Sequence, residues 1–148
     1  MRIIGLDLGE KRIGVAAADD RTGVALPVTT VNMVGDPTLL VVGILREQSA
    51  DEVVVGLPLS MSGAAGLQAQ KVLALVEDLR EIVAIPVHTW DERLSTVQAS
   101  RSPGNAKRRP DGRPSGRKSG RTADAGRDAV AAAIVLQAYL DSRRTAER

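Results

Sequence analysis

Three acids sit where a carboxylate could do chemistry. Asp7 interrupts the apolar run Ile3-Ile-Gly-Leu-Asp-Leu8, Glu92 follows Pro86-Val-His-Thr-Trp90 directly after Asp91, and Asp128 heads the small apolar stretch Ala129-Val-Ala-Ala-Ala-Ile-Val-Leu136. A carboxylate in a strand buried on both faces costs several kcal/mol unless something cationic meets it. Carboxylates brought together repel one another unless hard cations neutralise them. Mg²⁺ or Mn²⁺ suits that task, taking oxygen ligands from one or two carboxylates while substrate phosphates complete the shell. Two such ions roughly 4 Å apart activate a water for in-line attack on a phosphodiester and stabilise the leaving oxygen. Each acid also has a plainer role open to it. Asp7 could simply end a strand, Glu92 could pair with Arg93 on a surface turn, and Asp128 could be a first-turn acid facing a helix dipole. Asp91 and Asp124 compete for the same chemical roles, and spacing does not choose between them.

The elements that would have to position these acids are legible in the pattern of apolar residues. Ile3–Leu8 and Ile13–Ala18 read as two strands joined through Gly9-Glu-Lys-Arg12, a spacing that suits an antiparallel hairpin. Val24–Val34 reads as a third strand beside the second. Asp36-Pro37 supplies a cap and a first-turn proline for a short helix reaching about Ser49, with Leu40, Ile44 and Leu45 as its stripe and Gly43 weakening it. Val53–Gly56 is an all-apolar strand of the kind found inside a parallel sheet, expected beside the first strand. A loop through Ser60 and Ser62 leads to a helix over about Ala64–Ile82, with Leu67, Val72, Leu75, Val76 and Leu79 on one side. Pro86–Trp90 is the fifth strand. A last helix is expected over about Asp124–Ser142, with Asp128 in its first turn and Val130, Ala131, Ile134, Val135, Ala138 and Leu140 behind it, small enough to pack closely on a sheet. This order implies an α/β chain with a five-stranded mixed sheet, right-handed crossovers and helices on both faces. The first and central parallel strands then present their carboxyl ends to one edge, where loops and helix starts form a crevice and Asp7, Glu92 and Asp128 could meet.

Composition narrows the chemistry further. The 148 residues suit one domain spanning 1–148. Cysteine is absent, which excludes a disulfide framework, a thiolate metal site and a cysteine nucleophile. Ser60 and Ser62 have no histidine placed to activate them, and the lone His88 is read as packed or at the surface. Gly5, Gly9 and Gly14 make no dinucleotide fingerprint, because a strand and not a helix follows them. Trp90 and Tyr139 are the only aromatic residues, few for a binder that stacks unpaired bases, and core packing is the expected role of Trp90. The net charge of +2 is unevenly spread: Arg101 to Arg127 hold nine basic residues against two acids, leaving eleven basic and sixteen acidic residues elsewhere. This basic stretch, about 101–123 and including Lys107, Arg108 and Arg109, is too poor in apolar residues to fold alone and is expected to be a mobile loop. It could track a phosphate backbone by counterion release, with strongly salt-dependent affinity, or serve only as a solvated insertion. No apolar run approaches the roughly 18 residues of a membrane span, so a cytoplasmic protein with no membrane partner is the expectation.

Four stretches together resemble the YqgF family of Holliday-junction-resolvase-like nucleases, which have an RNase H-like fold. They are Gly5-Leu-Asp-Leu-Gly-Glu-Lys-Arg-Ile-Gly-Val-Ala16, Val54-Val-Gly-Leu-Pro-Leu-Ser-Met-Ser-Gly63, Trp90-Asp-Glu-Arg-Leu-Ser-Thr96, and Asp128 to Asp141. They occur in the family's order and cover essentially the whole chain. The resemblance implies that Asp7, Glu92 and Asp128 are the metal-binding catalytic acids, using Mg²⁺ or Mn²⁺. It implies that Lys11, Arg12 and Arg93 contact phosphate or orient the acids, and that Gly56-Leu-Pro58 borders the site. It also implies a nucleic-acid partner, either structured RNA, through trimming of the 5′ end of pre-16S ribosomal RNA, or a branched four-way DNA. A homodimer would suit paired cuts in such a junction. The chain departs from the family between Arg101 and Arg127, where only the basic character matches, and at Gly126-Arg127, where apolar residues are usual. Two rival readings share these residues. Actin-like ATPases and sugar kinases also open with Asp-x-Gly, but they enclose nucleotide between two lobes and this chain has length for one. A non-catalytic RNA-binding assembly factor would bind with salt sensitivity and be indifferent to metal removal.

Overall fold

The computed structural model describes residues 1–95 and 120–147. Residues 101–119 of the expected basic loop, Lys107, Arg108 and Arg109 among them, lie outside the described residues, and its last part, 120–123, is helical. Five strands form one mixed sheet: β1 (Arg2–Leu8), β2 (Arg12–Asp19), β3 (Ala25–Asn32), β4 (Glu52–Leu57) and β5 (Val87–Asp91), in the order β3-β2-β1-β4-β5. The first three make the expected antiparallel meander, and β4 runs parallel to β1 with β5 parallel beyond it. Three helices, α1 (Pro37–Glu47), α2 (Leu67–Ile82) and α3 (Gly120–Glu147), and a helical turn at 92–95 complete the described fold. No helix among the described residues is long and apolar enough to cross a membrane.

Strand alternation divides the interior in two. Ile4, Leu6, Leu8, Ile13, Val15, Val53 and Val55 point to one face and pack with Val41, Ile44 and Leu45 of α1 and Val72, Leu75, Val76 and Leu79 of α2. Ile3, Ala16, Ala18 and Val54 point to the other and pack with Ala132, Ala133, Val135, Leu136 and Leu140 of α3. Helices therefore cover both faces, as the order of elements implies. Asp36 caps α1, its Oδ1 accepting the Thr38 amide at 2.9 Å, and Pro37 occupies the first turn. Gly43 lies exposed within α1, and a Cβ there would meet nothing within 4 Å.

Three expectations are corrected. The α2 helix begins at Leu67 and not at Ala64, because Ser60 to Ala64 close a turn around Gly63 (φ +87°) and Gly66 takes the cap position; Leu67 is consequently 79% exposed and not part of the buried side. The α3 helix is longer at both ends than Asp124–Ser142, since no proline interrupts 120–147 and its last turns are anchored by Arg143 on Glu52. Asp128 thus lies in its third turn, well past the dipole end, and the first-turn role does not apply. The inward face of α3 also differs: Ala129, Ala132 and Leu136 are buried, whereas Val130 is 48% exposed. The sheet makes that choice. A Cβ at Gly5 would stand 2.7 Å from the Leu136 Cβ, and one at Gly14 only 1.9 Å from the Asp128 carbonyl oxygen, so α3 rests on glycine backbone where these residues pass.

Candidate active site

Asp7 belongs by alternation to the α3 face, with Ile3 and Gly5, and is half-buried near the carboxyl end of β1. Its cross-strand partner on β2 is Gly14, the residue over which α3 passes at Asp128. On the other side of β1, β4 ends in Gly56-Leu57, and beyond it β5 ends in Trp90-Asp91, with Gly56 and Trp90 opposite each other. Residues 92–95 then turn helical, and this turn returns Glu92 over the sheet: its Oε1 lies 2.7 Å from where a Gly56 Cβ would be. Only glycine at 56 leaves that space. Glu92 there meets Asp7 in hydrogen-bonding contact.

Burial first, and then Asp7, hold the Glu92 carboxyl protonated far above the ordinary carboxylate range, to about 8; Asp91 adds to the same effect. Two like-charged groups at this spacing cannot both ionise cheaply, so they share a proton or a cation. A stability consequence follows. Glu92 keeps its proton in the folded state to about pH 8 and loses it near pH 4.5 when unfolded, so the folded state binds more protons across that window. Metal-free protein should therefore lose stability as pH rises from about 4.5 to about 8, with no further loss from this group on either side. Allowing for solvent screening, the effect is on the order of 1–2 kcal/mol. Urea midpoints measured across that range check it: Glu92→Gln should flatten the decline, and an equal slope in the variant would remove Glu92 as its source.

The plainer role for Glu92, pairing with Arg93, is not realised in this way, because Arg93 turns its fork to Asp91. Asp91 Oδ1 accepts from the Arg93 amide at 2.9 Å and Oδ2 from Nη2 at 2.5 Å, which holds the Asp91 carboxyl below the usual range. Arg93 Nη1 also donates to the Met61 carbonyl at 3.4 Å, tying the β4–α2 loop to the end of β5. Asp91 is thus committed to Arg93, and Glu92 faces Asp7. Asp124 carries no described side chain. Asp128 receives Arg12 Nε on Oδ2 at 2.7 Å, both side chains being about 30% exposed. Arg12 crosses from the β1–β2 turn, which closes through the Gly9 amide donating to the Arg12 carbonyl at 2.8 Å. Lys11 sits exposed in the same turn.

The structure thus brings Asp7 and Glu92 together, whereas Asp128 passes over Gly14 with its backbone and has its carboxylate on Arg12. Among the described residues no group of three His, Asp or Glu is close enough to share one ion. The Asp7–Glu92 pair is nonetheless a hard-oxygen donor set whose mutual repulsion a divalent cation would relieve, and to that extent it fits one.

Sequence reasoning missed Glu52. At the start of β4, it is 2% exposed and accepts from Tyr139 Oη at 2.7 Å and Arg143 Nη1 at 3.2 Å, with His88 Nε2 at 3.0 Å. His88, read as packed or at the surface, is thus engaged at the side of this buried group. The only available signal was an acid adjoining a five-residue apolar run, which does not say on which side of the boundary it falls.

The sheet order and the helices on its two faces define an RNase H-like fold. Two solved structures share this fold: the Holliday-junction complex of Thermus thermophilus RuvC, at TM-score 0.57 and 16% identity over 98% of this chain and 96% of that one, and the junction complex of fowlpox virus resolvase, at 0.53 and 13% over 96% and 98%. More specifically, residues 1–142 match the family model of the Holliday junction resolvase RuvX, and the chain belongs to that family. Its relatives include proteins named "Putative pre-16S rRNA nuclease" from Caldanaerobacter subterraneus subsp. tengcongensis, 38% identical over 97% of this chain and 99% of that protein, and from Roseiflexus sp., 41% identical over 97% and 96%.

Proposed function

We propose that this protein is a divalent-metal-dependent nuclease that hydrolyses phosphodiesters of structured RNA, in the 5′-end processing of pre-16S ribosomal RNA. The observation that carries the chemistry is the meeting of Asp7, on β1, and Glu92, on the helical turn after β5, in contact above Gly56 at the sheet's carboxyl edge. Asp7 and Glu92 would hold the Mg²⁺ or Mn²⁺, and Asp128, released from Arg12, would complete the set. A divalent ion supplies Lewis-acid polarisation of the scissile phosphate and a water of lowered pKa. The chain's own residues do the rest. Glu92, which keeps its proton to about pH 8 without metal, gives it up when the site is loaded. Arg12, paired with Asp128, would exchange that carboxylate for the phosphate of the strand being cut. Lys11 on the same turn and Lys107, Arg108 and Arg109 steer the polyanion. Of the two roles expected of it, contacting phosphate or orienting the acids, Arg93 has the second: with its fork on Asp91, it orients the turn that carries Glu92.

The RNA substrate is favoured over four-way DNA because the relatives named for pre-16S rRNA align at 38% to 41% identity over nearly the full chain, whereas the junction-bound structures align at 13% to 16%. A cytoplasmic location accords with that substrate. The test offers a 5′-extended 16S precursor fragment and a four-way DNA junction to the same preparation with Mg²⁺ and with Mn²⁺, mapping the cuts. Metal-dependent cuts within the 5′ extension, weakened steeply between 50 and 200 mM salt, are expected. Paired symmetric cuts in the DNA with intact RNA would reassign the substrate, and salt-sensitive binding without any cleavage would reassign the protein as a binding factor.

A further inference from the structure

The two aromatic residues of the chain meet. The Trp90 indole and Tyr139 ring stack with centroids 6.2 Å apart and planes at 16°, joining the end of β5 to the middle of α3. Each is held at its polar end. The Tyr139 hydroxyl donates to Glu52 Oε2 at 2.7 Å, with Arg143 5.4 Å from the centre of its ring, and the Trp90 Nε1–H donates to Ser95 Oγ at 3.1 Å. Glu52 and Ser95 are 2% and 4% exposed, and they are the only buried polar or charged residues among those described. The two buried polar side chains are thus the two ends of one chain of contacts: Glu52, Tyr139, Trp90, Ser95.

That chain ends on the helical turn that carries Glu92. Ser95 lies one turn beyond Glu92, so an indole N–H on Ser95 fixes the turn at its far end while the Arg93 fork on Asp91 fixes it at the near end. Trp90 is also the cross-strand partner of Gly56, the residue on which the Glu92 carboxylate rests. A buried carboxylate such as Glu52 is poor value for stability alone, since an apolar residue of similar volume serves as well; its use lies in demanding one arrangement of its partners. We propose that Glu52, Tyr139, Trp90 and Ser95 form a positioning relay that holds the Glu92 turn against Asp7, with Glu52 and Ser95 as its fixed ends. This inference rests on the nuclease reading only in giving Glu92 a metal to hold.

Trp90, the sole tryptophan, reports on its own neighbourhood. Mn²⁺ bound at Asp7 and Glu92 should quench Trp90 emission, which measures metal affinity without reference to cleavage. Ser95→Ala should raise the Mn²⁺ midpoint and lower kcat by about tenfold each, as loss of an orienting partner does, with KM for nucleic acid within about twofold of the parent. Ser95→Thr, which keeps the hydroxyl, should restore both. Tyr139→Phe, which keeps the stack but removes the bond to Glu52, should move both in the same direction and make Trp90 more accessible to acrylamide in metal-free protein. If Ser95→Ala and Tyr139→Phe lower the urea midpoint but leave kcat and the Mn²⁺ midpoint at parental values, the four residues are packing and the relay is wrong. A parent protein that shows Mn²⁺ quenching but cleaves nothing would overturn the nuclease reading, while the variants' Mn²⁺ midpoints would still decide the relay. Absence of Mn²⁺ quenching in the parent overturns both.

Discussion

Asp7→Asn should reduce Mg²⁺- or Mn²⁺-dependent cleavage by about a thousandfold, the scale on which an electrostatic group at the reacting centre contributes. It should leave nucleic-acid binding nearly intact. The substitution keeps the shape and the position on β1 while removing the charge that, with Glu92, attracts the cation. It also lifts a repulsion. Because Asp7 is the second cause, after burial, of the raised Glu92 pKa, the variant should be at least as stable as the parent in metal-free buffer near pH 8. Loss of activity together with retained or improved stability is the pattern of a functional carboxylate, and loss of both would be that of a structural one. The measurement pairs single-turnover cleavage with urea unfolding, with and without Mn²⁺. Undiminished metal-dependent cleavage by Asp7→Asn would end the assignment of this site.

Gly14→Ala should be the most destabilising single-methyl change in the described fold. The added Cβ would stand 1.9 Å from the Asp128 carbonyl oxygen and 2.4 Å from its carbonyl carbon, both backbone atoms of a helix that cannot turn aside as a side chain can. Either α3 lifts from the sheet or β2 bends. Overpacking of this kind costs about 1–3 kcal/mol and occasionally more, and here the upper end is expected because Ala16, Ala18, Ala132 and Leu136 lose contact along with it. Activity should fall further than stability accounts for, since the lifted turn carries Asp128 and its bond to Arg12. Gly43→Ala is the matched control: it is an exposed position inside α1 with nothing within 4 Å, where alanine should stabilise by up to about 1 kcal/mol. Thermal midpoints of the two variants should move in opposite directions. A Gly14→Ala protein as stable as the parent would mean that α3 does not sit this close to β2.

The two glycines also show how unevenly the sequence speaks. Strands and their order could be read from it because burial on one or both faces forces a period of two or a continuous apolar run, as in Ile3–Leu8 and Val53–Val55, and because a short turn such as Gly9–Arg12 leaves antiparallel pairing as the economical choice. Membership of the RNase H-like class followed from four local stretches in order. Asp7 was conspicuous for the same local reason, a charge placed where the pattern demands none.

What pattern alone did not decide was every matter settled by contacts between distant segments. Asp91 and Glu92 are adjacent in sequence and equal in chemistry; Arg93 taking Asp91 in its fork, and Gly56 leaving room for a carboxylate on the neighbouring strand, separate them. The inward face of α3 could not be taken from its own residues, because Val130 and Ala129 are both apolar, and only the glycine track on β1 and β2 selects the smaller. Glu52 gave no local sign of burial, since its partners lie 36 to 91 residues away on β5 and α3. The local sequence by itself determined which groups this protein has for chemistry and which strands carry them. The tertiary structure decided which of those groups meet, because steric exclusion and charge pairing act through space and carry no periodicity along the chain.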